Sequence, residues 1–112
     1  MPCRLAEWYV SRTFDPVATV VLSYLAVSSL DYLIVTLSLP ATTRARVRAS
    51  LELLASFPLI GSKLGGRWHG FRFIFGPWPW MLVVYEYDEM KDHVGVAAIQ
   101  DSRSARAATS QR

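Results

Sequence analysis

Arg67 and Arg72 are the residues whose type most readily suggests chemistry, because a guanidinium stays charged and offers a fork of donors to a phosphate or an acidic partner. The bland alternative is that they face solvent or pair across a sheet with Glu86. His69 and His93 fall on different predicted strands, with no carboxylate at metal-ligand spacing, and read as surface histidines. Arg44, Arg46 and Arg48 mark either a solvated helix face or a landing site for an acidic segment. Trp78 and Trp80 flank a turn, where an exposed aromatic patch would suit partner docking. Gly65-Gly66 lacks the Gly-x-Gly-x-x-Gly spacing of a nucleotide cradle. Cys3 stands alone, which excludes a disulfide framework, and neither a metal nor a cofactor is expected.

The chain that must position these groups has 112 residues, enough for one domain with its own core. Its net charge of +3 is too small for a protein that coats nucleic acid. Charge is nevertheless blocked. Residues 40–76 carry Arg44, Arg46, Arg48, Lys63, Arg67 and Arg72 against Glu52 alone, net +5. Residues 77–101 carry Glu86, Asp88, Glu89, Asp92 and Asp101 against Lys91, net −4, and the tail adds Arg103, Arg106 and Arg112. From Val17 to Leu39 the only charge is Asp31, long enough to raise a membrane span. Six serines and threonines interrupt that run, and an aspartate near its middle opposes insertion by about 2.5–3.5 kcal/mol. A soluble, cytoplasmic protein is the expectation.

Hydrophobic periodicity divides the chain. Val17–Ser23 is β-branched and reads as a short, mostly buried strand. From Tyr24 the period changes: Ala26, Leu30, Leu33, Ile34 and Leu37 form a helical face, with Ser28 and Ser29 as candidate caps for a later start. Leu39-Pro40 breaks this helix, and Pro40 is placed to open a second over about Ala41–Ser56, with Val47, Leu51 and Leu54 inside. The short break implies an antiparallel helical hairpin. Leu59–Gly66 reads as loop. Arg67–Phe75, Trp80–Tyr87 and His93–Gln100 read as three strands of an antiparallel meander, the first with Phe71, Phe73 and Phe75 alternating. The expected fold class is α+β: an N-terminal strand, then a helical hairpin packed on a small antiparallel sheet. Residues 1–16 are expected to be an irregular extension, 17–101 the domain, and 102–112 a polar basic tail with almost nothing to bury.

Three stretches in this order carry a family resemblance. Leu51-Glu-Leu-Leu-Ala-Ser-Phe-Pro-Leu-Ile-Gly61 resembles the end of the second helix and following loop of RelE/ParE-type toxins. Val83-Val-Tyr-Glu-Tyr-Asp88 and Val94–Arg103, ending Ala-Ile-Gln-Asp-Ser-Arg, resemble that family's last two strands. The resemblance implies the toxin of a bacterial type II toxin–antitoxin, plasmid-stabilisation-like module, held inactive in a hetero-oligomer with a protein antitoxin. It also implies one of two targets: the translating ribosome and its mRNA for RelE-like endoribonucleases, or DNA gyrase for ParE-like members, which are not nucleases.

Metal-free RNA cleavage needs a group to activate the 2′-hydroxyl, cations for the phosphate and an acid for the leaving oxygen. Arg72 and Arg103 match basic positions of the family. The arginine usual in its "Tyr-Arg-x-x-Tyr" strand falls on Leu82, the basic residue before the terminal arginine is replaced by Gln100-Asp101, and no tyrosine follows Tyr87. Two cations without an acid or base favour the gyrase-inhibiting, non-enzymatic branch. The alternatives are a ribosome-dependent nuclease using Arg72 and Arg103, or an inactive antitoxin-binding module. Under the resemblance, Arg67, Arg72, Arg103 and Arg106 are the expected target-binding residues, and Arg44, Arg48, Trp78 and Trp80 the expected antitoxin-binding residues.

Overall fold

The computed structural model describes residues 18–110, so the expectations for residues 1–16 and for Cys3 lie outside the described residues. Five strands and two helices follow in the order β1 (Thr19–Leu22), α1 (Tyr24–Thr36), α2 (Thr43–Ser56), β2 (Ser62–Lys63), β3 (Arg72–Phe75), β4 (Met81–Asp88) and β5 (His93–Asp101). They form one sheet in the order β1-β5-β4-β3-β2. The fold class is α+β as expected, with two helices against the sheet, but the sheet is mixed. β1 runs parallel to β5, with Val20 beside Val94 and Leu22 beside Val96, while every other pairing is antiparallel. β1 is also an edge strand. It buries Val20 and Leu22 and turns Thr19 and Val21 to solvent, so it is half-buried rather than mostly buried.

Ser23 rather than Ser28 or Ser29 starts α1. Its Oγ accepts the Ala26 N–H at 3.0 Å and donates to the Ala97 carbonyl at 2.9 Å. Ala97 is the residue that the β4–β5 register skips, between Val84 opposite Ala98 and Tyr85 opposite Val96. A bulge leaves polar groups outside the ladder, and the capping serine satisfies one of them. Ser28 and Ser29 instead donate back to carbonyls of their own helix. Between the helices, Ser38 takes a left-handed conformation (φ 51°) and the Thr43 N–H bonds the Pro40 carbonyl at 3.0 Å. That extra turn delays α2 to Thr43, two residues later than the sequence suggests.

The sheet is buried on both faces, which explains the unbroken apolar run Met81–Tyr85 on the central strand. Met81, Val83 and Tyr85 face the helices, where Ala26, Leu30, Val47, Leu51 and Leu54 meet them. Leu82 and Val84 face the other way, into a second cluster with Leu64, Ala98, Ala107 and Ala108. The tail therefore does bury something. The Ser104 carbonyl accepts bonds from the Ala107 N–H and the Ser110 hydroxyl, closing a compact knot, and Ala107 and Ala108 are only 1% and 0% exposed. The first predicted strand is shorter than its pattern suggests. Gly66–Trp68 forms a 3₁₀ turn, and pairing begins only at Arg72. Ser62–Lys63, read as loop, pairs with Phe73 and Arg72 as a two-residue edge strand.

Candidate functional site

Two of the three stretches behind the resemblance meet in space. The Tyr85 side chain on β4 is fully buried and reaches the loop after α2. Its hydroxyl donates to the Pro58 carbonyl at 2.8 Å and accepts the Gly61 N–H at 2.9 Å. Arg72, one strand over and directly opposite Tyr85, donates to the Gly61 carbonyl at 2.8 Å and to the Leu59 carbonyl at 3.3 Å. A Cβ on Gly61 would stand 2.6 Å from both the Phe73 carbonyl oxygen and the Tyr85 hydroxyl, so only glycine fits there. The Phe-Pro-x-x-Gly string is thus a latch between loop and sheet. Burial raises the Tyr85 pKa, opposed by the Gly61 hydrogen bond and the Arg72 charge, so the hydroxyl stays protonated as a donor.

Arg103 is similarly engaged. It makes two bonds of 2.8 Å to the Asp101 carboxylate, and its guanidinium lies 4.6 Å from the centre of the Trp80 ring. That pairing holds the Asp101 carboxyl below the usual carboxylate range and raises Arg103 further. Arg106 stands apart on the rim of a groove of about 510 Å³ between α1 and the end of β5. Arg67 is exposed in the 3₁₀ turn. The four expected target-binding arginines therefore do not converge on one site.

The other expected set is closer together. Arg44 pairs with Asp31 at 2.7 Å, joining α2 to α1. Arg48 is partly buried on the same helix. Trp78 and Trp80 are half-buried against the helix-side core rather than standing free at their turn. Arg46 lies 4.9 Å from the Trp78 ring. Two cation–aromatic contacts, Arg46–Trp78 and Arg103–Trp80, thus flank the β3–β4 turn.

Among the described residues, a groove of about 880 Å³ is lined by β3, the loop before it and the β4–β5 hairpin. The loop carrying Leu64, His69 and Phe71 forms one wall, and the β4–β5 hairpin with Glu86, Tyr87 and His93 forms the other. The sequence placed the two histidines on separate strands. The fold brings both to the lining of this groove. An imidazole can both accept and donate a proton, which makes these two the groove's candidate acid and base. Tyr87 is not available for that role. Its hydroxyl donates to Asp92 Oδ1 at 2.5 Å, and this bond raises its pKa. Lys63, Arg72 and Lys91 also line the groove, against Glu86, Asp88 and Glu89. Such a balance gives no net attraction for a polyanion. Among the described residues no three His, Cys, Asp or Glu side chains gather as metal ligands, and no helix is long and apolar enough to cross a membrane.

No family model and no curated protein matches this sequence. Among solved structures, the fold is similar to a chain of the toxin-antitoxin complex RelBE2 from Mycobacterium tuberculosis. The TM-score is 0.56 at 20% identity, over 76% of this chain and 98% of that one. At that identity the likeness is one of fold, and the fold is RelE-like.

Proposed function

We propose that this chain is the toxin of a type II toxin–antitoxin module, that a protein antitoxin neutralises it in the cytoplasm, and that it arrests growth by inhibiting DNA gyrase. The toxin reading is supported by the fold, whose solved relative comes from a toxin-antitoxin complex and is covered almost end to end. In this reading residues 17–101 are the toxin domain, and the basic α2 face with Arg44, Arg48, Trp78 and Trp80 receives an acidic antitoxin segment. The observation that carries the choice of target is the state of two cations. Arg72 is bonded to the Leu59 and Gly61 carbonyls, and Arg103 to Asp101, so the groups a nuclease would aim at a phosphate are occupied within the fold. Arg67, Arg106 and the tail are then contacts for a protein target.

Purified toxin added to a gyrase supercoiling reaction should block supercoiling, and the antitoxin should restore it. Unchanged supercoiling at high toxin excess removes this target. A second reading, a ribosome-dependent endoribonuclease, is favoured by the two histidines in one groove. It requires codon-positioned cuts in mRNA on translating ribosomes, detectable by primer extension.

A further inference from the structure

Among the described residues, the outer face of α1 is an apolar stripe with nothing packed on it. Tyr24, Leu25, Tyr32 and Val35 are 78%, 58%, 67% and 78% exposed. At 100° per residue these four and Ser28 fall within an arc of about 100° of the helix. No charged side chain lies inside that arc. Asp31, at its border, is already paired with Arg44 at 2.7 Å. Ser28 is the polar residue of the arc, and its hydroxyl is already bonded to the Tyr24 and Leu25 carbonyls, at 3.1 and 3.3 Å. The neighbouring Ser29 hydroxyl is held by the Leu25 carbonyl at 2.6 Å. The serine hydroxyls of this face are therefore satisfied within the helix, and the Tyr24 and Tyr32 hydroxyls are the donors that a covering surface must pair or leave at its rim.

We infer that a second copy of this chain covers it, with the two α1 helices packed antiparallel across a two-fold axis at Ser28. Tyr24, Ser28 and Tyr32 lie on one ridge of the helix at four-residue steps, with the small serine as its low point. A two-fold axis at that point sets Tyr24 of one copy against Tyr32 of the other on both sides of the crossing. An interface of this kind uses the same patch twice, so it must be self-complementary. An uncharged stripe meets that condition, since no like charges are brought together. An acidic peptide would find no unpaired cation within the stripe, and the arginines of α2 suit such a partner better.

The area is sufficient for a weak dimer. At about 200 Å² per aromatic side chain, Tyr24 and Tyr32 together expose roughly 290 Å². Leu25 and Val35 bring the stripe to roughly 500 Å² per copy, so complete pairing removes about 1,000 Å², the size of a weak, transient interface. The inference does not depend on the toxin assignment.

Sedimentation equilibrium of the full chain at about 100 µM should give twice the chain mass of 12.6 kDa. Tyr32→Glu and Ser28→Arg, each placing like charges across the axis, should return it to the mass of one chain. Both sites are on the helix exterior, so thermal melts of these variants should match the parent and exclude misfolding. In a Cys3→Ser background, Ser28→Cys should form an intermolecular disulfide on mild oxidation, because residues on the axis approach within bonding range. A single-chain mass for the parent at this concentration overturns the inference, as does a dimer that survives both charge variants. A monomer whose Tyr32→Glu variant loses affinity for the antitoxin also overturns it, and assigns the stripe to that protein.

Discussion

A single hydroxyl, that of Tyr85, ties the loop after α2 to the central strand, and its removal has a foreseeable cost. Tyr85→Phe leaves the part-buried Pro58 carbonyl and the buried Gly61 N–H without their partner. About 1–3 kcal/mol should be lost in urea denaturation at neutral pH. The same group has a pH signature. Its folded pKa is raised above the ordinary value of 10.0, so the folded state holds this proton more tightly than the unfolded chain does. The corresponding stability is complete below pH 10 and is lost as pH rises through the folded value. Stability measured from pH 8 to 11 should therefore decline less steeply in Tyr85→Phe than in the parent. Asp101 has the opposite sign, because Arg103 lowers its pKa. Its contribution is present above about pH 4 and disappears as pH falls through the folded value. Arg103 is largely in water, so Asp101→Asn should cost less than about 1 kcal/mol at pH 7. A substantially larger loss would mean that this pair anchors the C-terminal knot.

The knot is the element whose energetics are least like the rest. It sits on Leu82, Val84 and Ala98 through two alanines and through the Ala108 N–H, which donates to Gln100 Oε1 at 2.8 Å. Ala108→Glu cannot keep this seat. Because the segment can lift away, the penalty is capped at its docking energy, about 1–2 kcal/mol. Amide exchange at Ala108 should become fast, while β4 and β5 keep their protection. The knot also shows what a sequence pattern leaves out. Ser, Ala and Thr have no hydrophobic signature of their own, and the burial of Ala107 and Ala108 depends on Leu82 and Val84, far away along the chain. By contrast, the alternation of Met81, Val83 and Tyr85 with Leu82 and Val84 was legible, because a period of two maps directly onto two sheet faces. Ala26, Leu30 and Leu33 were legible for the corresponding helical reason. Ser62–Lys63 was not, since two residues cannot display a period. The parallel partnership of β1 with β5 was equally hidden: both are apolar runs, and neither encodes its neighbour. Phe57-Pro58-x-x-Gly61 could be read as a string, but its reason, the close approach of Tyr85, exists only in the fold.

At the scale of the whole molecule, charge and site geometry point to different readings, and one experiment separates them. The basic middle of the chain does not form a continuous phosphate-binding face. Arg72 is spent on backbone carbonyls, and the groove's cations are matched by Glu86, Asp88 and Glu89. A toxin acting on a protein target needs no acid–base pair, whereas a nuclease must have one, and His69 and His93 both line the groove that could hold it. The double variant His69→Ala/His93→Ala removes that pair from positions exposed to solvent, so folding should be preserved. If the protein inhibits gyrase, induction of the double variant should still arrest growth, with supercoiling inhibition within about twofold of the parent. If it cuts mRNA, removing the pair should lower cleavage by about 10²-fold or more and relieve the arrest. Growth curves, supercoiling titrations and primer extension on the same two proteins make the comparison direct. Arrest that survives the double variant with transcripts intact places the activity on the arginine-bearing surface. Arrest that vanishes together with the cleavage pattern places it in the groove.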